Sequence, residues 1–249
     1  MTFRTFTLEK ALEKLAGAGF DKVELCTVGD WVPHFDVANA TDKSIADCAE
    51  IFKRTGMQAV SVNISGDFSV DQLENGYALA KELGAAVVTY CCGGPVEGVP
   101  RAELLKNRAE FNSKLADLGE KYGVICSIEA PHKGSLAEKR AEIDEYWSLQ
   151  DPRVRCTFDT AHLTFAGEDL LDAAKFYAPR AAHVHLRDAV KGNSLMRYGE
   201  GVIDFASVLK IFKDSGYERY YSMEYPTDSE AEAIERLDAS VKYLSKFGI

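Results

Sequence analysis

The run Lys121-Tyr-Gly-Val-Ile-Cys-Ser-Ile-Glu-Ala130 decides the fold. Before it, residues 102–122 repeat apolar side chains at helical spacing, and Gly123 is the residue type on which a helix stops. From Val124 onward the period changes to two. Cys126 and Ile128 fall on one face, Ser127 and Glu129 on the other. This helix-then-strand unit recurs along the whole chain. Strands are expected at residues 22–26, 59–64, 85–92, 124–130, 154–160, 181–187 and 220–225. Helices are expected at residues 7–18, 42–54, 70–83, 102–122, 136–147, 170–176, 205–214 and 229–246, several closed by Gly56, Gly84, Gly123 and Gly216. Alternating units of this kind predict a parallel sheet, and eight of them predict a (β/α)8 TIM barrel.

A length of 249 residues suits one barrel of about 250 residues, so a single β/α-barrel domain over 1–249 is expected. Only seven strands are clear. Residues 1–5 would have to supply the eighth, which predicts an abbreviated or missing first strand. Exposed strand edges are normally paired or covered. Either a very short strand capped by Phe3 or another chain, in a homo-oligomer or hetero-complex covering the N-terminal seam, is therefore expected.

The 39 acidic residues outnumber the 29 basic ones, for a net charge of -10. Such an excess repels phosphate backbones and anionic membranes, so neither nucleic acid nor a membrane is expected as a partner. The six cysteines lack zinc-finger spacing, and no apolar run of transmembrane length is present. These features point to a cytoplasmic protein.

Parallel strands buried on both faces usually read as continuous apolar runs. These alternate instead. Thr157 and Asp159 oppose Cys156 and Phe158; His183, His185 and Arg187 oppose Val184 and Leu186; Ser222 and Glu224 oppose Met223 and Tyr225. The apolar face should pack on helices, leaving the polar face to line the interior. Buried carboxylates without compensation would cost several kcal/mol each, about the penalty for any unpaired buried charge, and a divalent cation is the simplest compensation. Glu129, Asp159, His185 and Glu224 stand at the C-terminal strand ends, where barrel sites are built. Three carboxylates and one imidazole suit Mn²⁺ best, with Mg²⁺, Co²⁺ or Zn²⁺ as alternatives.

Phe-Asp-Thr-Ala-His (158–162), His-Val-His-Leu-Arg-Asp (183–188), Gly-Glu-Gly-Val-Ile-Asp-Phe (199–205) and Met-Glu-Tyr-Pro (223–226) resemble the xylose isomerase-like barrels, also called the sugar phosphate isomerase/epimerase family. The resemblance runs from Leu8 to the C-terminus. It implies that Glu129, Asp159, His185 and Glu224 are metal ligands and that the two glutamates form an acid/base pair. It implies substrate contacts by His162 and Arg197, with Glu24 an acid near the pocket. Met196-Arg197-Tyr198 precedes Gly199, where many relatives carry proline.

The chemistry so implied is proton transfer between two glutamates through an enediolate of a small carbohydrate, giving an isomerase or epimerase of a small sugar or keto-polyol. The same site serves a lyase if the intermediate expels a β-substituent, as in an inosose-type dehydratase or a 3-oxo-glycoside or C-glycoside deglycosidase. His132, three residues beyond Glu129, is the candidate acid for that expulsion. An endonuclease IV-like activity needs extra histidines at early strand ends, where Ser65 and Cys91 stand. His183 reads as a buried hydrogen-bonding residue beneath His185, and His34 as a loop residue.

Overall fold

The computed structural model describes residues 1–248. Helices and strands alternate as expected: α1 Leu8–Gly17, β1 Lys22–Thr27, α2 Asp42–Thr55, β2 Gln58–Ile64, α3 Val70–Leu83, β3 Val87–Cys91, α4 Arg101–Tyr122 and β4 Ile125–Glu129. There follow α5 Arg140–Ser148, β5 Arg155–Asp159, α6 Thr160–Ala166, α7 Leu170–Tyr177, β6 Ala181–Leu186, β7 Asp188–Val190, β8 Asn193–Met196, α8 Phe205–Asp214, β9 Tyr221–Met223 and α9 Glu230–Leu244. Seven strands form one sheet in the order β1-β2-β3-β4-β5-β6-β9. Sequential neighbours in a parallel sheet are what right-handed strand–helix–strand crossovers produce.

Packing divides the chain into two compact units. The first holds Met1–Tyr90, Lys114–Cys126 and Pro226–Glu235. In it β1 pairs with β2 and β2 with β3, all parallel. Thr41 and Ser69 cap α2 and α3, each through a reciprocal box with the residue three positions on. Gly56 and Gly84 close the same helices at φ 69, a conformation that strains any residue with a Cβ.

Residues 1–6 form turns rather than a strand. The Arg4 N–H reaches the Met1 carbonyl at 3.2 Å and the Phe6 N–H the Phe3 carbonyl at 3.0 Å. These local bonds use backbone groups that a ladder would need. Phe3 and Phe6 are buried with ring centroids 5.4 Å apart, Thr227 Oγ1 donates to the Thr2 carbonyl at 2.5 Å, and Arg4 pairs with Asp228. The first strand is thus missing among the described residues, and the very short strand capped by Phe3 is not formed.

The second unit holds Cys91–Ser113, Ser127–Tyr225 and residues 236–248. Here β4 pairs with β5, β5 with β6 and β6 with β9, again all parallel. The apolar strand face packs on helices as expected. Phe158 is fully buried, with its ring 5.4 Å from Tyr177 at the end of α7 and 5.3 Å from Phe212 on α8. The polar face is buried too, and its groups find one another: Ser127 Oγ lies 2.7 Å from Thr157 Oγ1, and His183 Nε2 lies 2.7 Å from Ser222 Oγ.

Three elements depart from the sequence reading. The helix expected from residue 136 begins at Arg140, because the N–H of Leu136 bonds to the Gly93 carbonyl at 2.9 Å and ties that stretch into a loop. A short helix, α6, starts immediately after β5. An antiparallel hairpin, β7–β8, follows β6. No helix among the described residues is long and apolar enough to cross a membrane.

Candidate metal centre

Glu129 ends β4, Asp159 ends β5, His185 lies on β6 and Glu224 follows β9. Register aligns them: Asp159 pairs directly with His185, and Glu129 pairs with Thr157, one step back on the same face of β5. Glu224 leaves the strand but stays beside it, its N–H bonded to the Leu186 carbonyl at 3.2 Å. All four side chains are buried, and a ligand atom from each lies within 4.8 Å of all the others. His185 Nδ1 stands 3.1 Å from Glu129 Oε1 and 2.7 Å from Glu224 Oε2.

Burial pushes the Glu129 carboxyl up. The hydrogen bond and charge of His185, with His132 and His162 behind it, outweigh that penalty and hold it at about 2. Glu129 is therefore an anion in a dry place. Three buried carboxylates and an imidazole converging this tightly match the oxygen-rich, thiolate-free donor set of a hard divalent ion.

Asp159 uses its two oxygens separately. Oδ1 caps α6, accepting the N–H of Ala161 at 2.6 Å and of His162 at 3.3 Å, while Oδ2 faces Arg187 Nη1 at 3.2 Å. The cap explains why a helix starts one residue past a strand. It also turns His162 toward the carboxylates. His162 Nδ1 accepts the Lys133 N–H at 3.2 Å, which leaves the proton on Nε2, 3.8 Å from both Glu129 Oε1 and Asp159 Oδ2. Burial lowers the His162 pKa and favours that neutral form. His132 lies against it, ring centroids 4.2 Å apart, its Nδ1 2.9 Å from the Lys133 carbonyl. Glu129, His132 and His162 form a second convergent group.

Arg187 was not singled out as a site residue by sequence reasoning. Its Nη1 lies 3.2 Å from Asp159 Oδ2 and 3.3 Å from Glu224 Oε1, and its Nη2 donates to the Ser194 carbonyl of β8 at 3.4 Å. The signal was available, since Arg187 shares the polar face of His183 and His185. Asp188 follows it and holds the next loop, accepting the N–H groups of Gly199 at 2.8 Å and Gly201 at 3.0 Å. A Cβ at Gly201 would come within 2.0 Å of Asp188 Oδ1, so only glycine fits that turn.

The remaining sequence candidates are placed as follows. Arg197 lies half-buried in the turn after β8, and its carbonyl accepts the Glu200 N–H at 3.0 Å. Glu24 lies half-buried on β1 in the first unit. His183 is buried beneath His185, their rings 5.4 Å apart edge to face. His34 Nε2 lies 3.2 Å from the Phe6 carbonyl.

A family model described as xylose isomerase-like TIM barrel matches residues 12–247. Inosose dehydratase 1 of Bacillus cereus is 27% identical over 256 residues, spanning 89% of this chain and 83% of that protein. The crystal structure of a D-tagatose 3-epimerase-like protein superposes with a TM-score of 0.75 at 22% identity, covering 97% of this chain and 95% of that one. The IolI protein, whose crystal structure holds a zinc atom, superposes with a TM-score of 0.73 at 20% identity, covering 98% and 96%. At these identities the two structures speak for the fold alone.

Proposed function

The chain belongs to the xylose isomerase-like TIM barrel family, and within it we propose a divalent-metal-dependent isomerase or epimerase of a small sugar or keto-polyol. The observation that carries this reading is the approach of two buried glutamates, Glu129 and Glu224, to one imidazole nitrogen. Glu129, Asp159, His185 and Glu224 would hold the ion, for which manganese fits the donors best. When bound, such an ion acidifies a carbon–hydrogen bond next to the substrate carbonyl.

The protein's own groups then move the proton. One of the two glutamates accepts it from carbon and the other returns one, giving epimerisation if they act on opposite faces. His162 Nε2–H donates to a substrate hydroxyl, a role supported by its neutral tautomer.

A second reading, a dehydratase or another lyase, draws on the adjacent His132–His162 pair, its rings tilted against each other beside Glu129. An imidazole there is a proton donor for a departing hydroxyl or glycosyl oxygen. The relative named inosose dehydratase supports the same reading.

The test is incubation of the manganese-reconstituted protein in deuterated water with ketohexoses, an inosose and a 3-oxo-glycoside, followed by NMR. An epimer or isomer carrying one deuteron supports the first reading. A product lacking water or its aglycone supports the second. No exchange and no product with any of them would refute both.

A further inference from the structure

We propose that Arg187 is the built-in counter-cation of the metal centre, so that this arginine and one divalent ion together neutralise the three buried carboxylates. The inference rests on the metal-dependent reading above. Glu129, Asp159 and Glu224 bring three formal negative charges into a space where every ligand atom lies within 4.8 Å of the rest. Arg187 bridges two of them through one nitrogen, at 3.2 and 3.3 Å. Two negative charges remain, which is the charge of one divalent ion. His185 contributes a lone pair and no charge when it serves as a ligand.

The placement of Arg187 is imposed by those carboxylates rather than by its other contacts. The side chain is buried, and its Nε is buried without a hydrogen-bond partner, a state that costs stability. Its Nη2 contact to the Ser194 carbonyl is long, at 3.4 Å. Attraction to Asp159 and Glu224 outweighs both defects. A guanidinium stays charged where an amine buried this deeply tends to lose its proton.

A resident positive charge makes a distinctive demand on the ion. It repels every ion in proportion to that ion's charge, so it penalises a trivalent ion more than a divalent one. Removing it should shift the preference toward higher charge, which loss of mere packing would not do. The experiment measures Mn²⁺ affinity by calorimetry and Tb³⁺ affinity by luminescence in chelator-treated protein. Wild type is compared with Arg187→Gln, Arg187→Met and Arg187→Lys; the Met variant is run because Gln in a buried site can fail to fold. In the neutral variants the Tb³⁺ to Mn²⁺ affinity ratio should rise by about tenfold or more, as expected for removal of one like charge nearby. Arg187→Lys should keep the wild-type ratio within about threefold, since the charge stays. An unchanged ratio in a folded neutral variant, or equal weakening of both ions, overturns the counter-cation while leaving the centre standing. Wild-type protein that binds neither ion overturns the centre itself, and this inference with it.

Discussion

Asp159 performs two tasks on two oxygens, and separating them tests how the site is built. Oδ1 caps α6 through the N–H groups of Ala161 and His162 at 2.6 and 3.3 Å, while Oδ2 faces Arg187 and the other carboxylates. Asp159→Asn keeps a capping oxygen and removes the charge. Asp159→Ala removes both. Losing an N-cap costs about 0.5–2 kcal/mol. Both variants also loosen Arg187, but Glu224 Oε1 remains 3.3 Å from the same nitrogen. That loss therefore stays below the about 3–5 kcal/mol of a fully orphaned buried charge. In the ion-free protein, relief of repulsion among the carboxylates offsets part of it. The expected difference between the two variants is thus the cap alone, about 1 kcal/mol, or about 2–4 °C in Tm for a chain of this size. Ion affinity should fall in both by more than the about 10–100-fold typical of outer-shell changes. Urea unfolding of chelator-treated protein measures the first quantity and calorimetric titration with Mn²⁺ the second. Coincident urea midpoints for Asn and Ala would refute the capping argument. An Asn variant that binds the ion as tightly as the parent would refute the assignment of Asp159 as a ligand.

Glu129→Gln and Glu224→Gln should each lose about a hundredfold or more in turnover with the fold intact, because an amide cannot take a proton; near-normal turnover in either, with circular dichroism unchanged, would sink the two-base reading. Phe158→Ala empties the space between Tyr177 and Phe212 and should destabilise by about 3–5 kcal/mol, read as a drop in urea midpoint; a loss under about 1 kcal/mol would mean that strand and helices repack freely there. Hydrogen bonds from Arg153 hold the Asp151 carboxyl below its ordinary value. Its stabilising contribution is complete above about pH 4 and is lost as pH falls through its lower folded value. Asp151→Asn should therefore lower stability slightly at neutral pH and flatten the acid limb, the two proteins converging as pH falls, and an identical acid limb would argue against that pair.

Much of the architecture was legible because its signals are local. Parity along a strand depends only on neighbouring residues, so the sharing of one face by Ser127 with Glu129, Thr157 with Asp159, and His183 with His185 needs no knowledge of the rest of the chain. Helix ends at Gly56, Gly84, Gly123 and Gly216 were readable for the same reason, and all four adopt positive φ. The same alternation singled out Glu129, Asp159, His185 and Glu224. Other features depended on partners far away in sequence. Residues 1–6 turn instead of extending because Thr227 and Asp228 meet Thr2 and Arg4. The β6 strand stops at Leu186 because the Arg187 N–H goes to Thr160 Oγ1 at 2.9 Å. Arg187 joins the centre only because register brings Asp159 beside His185 and leaves Glu224 within reach. Sequence by itself determined which face each residue occupies, since that follows from backbone geometry. Tertiary structure alone decided which faces meet and which cation stands among the acids, since those outcomes depend on non-local register and on burial.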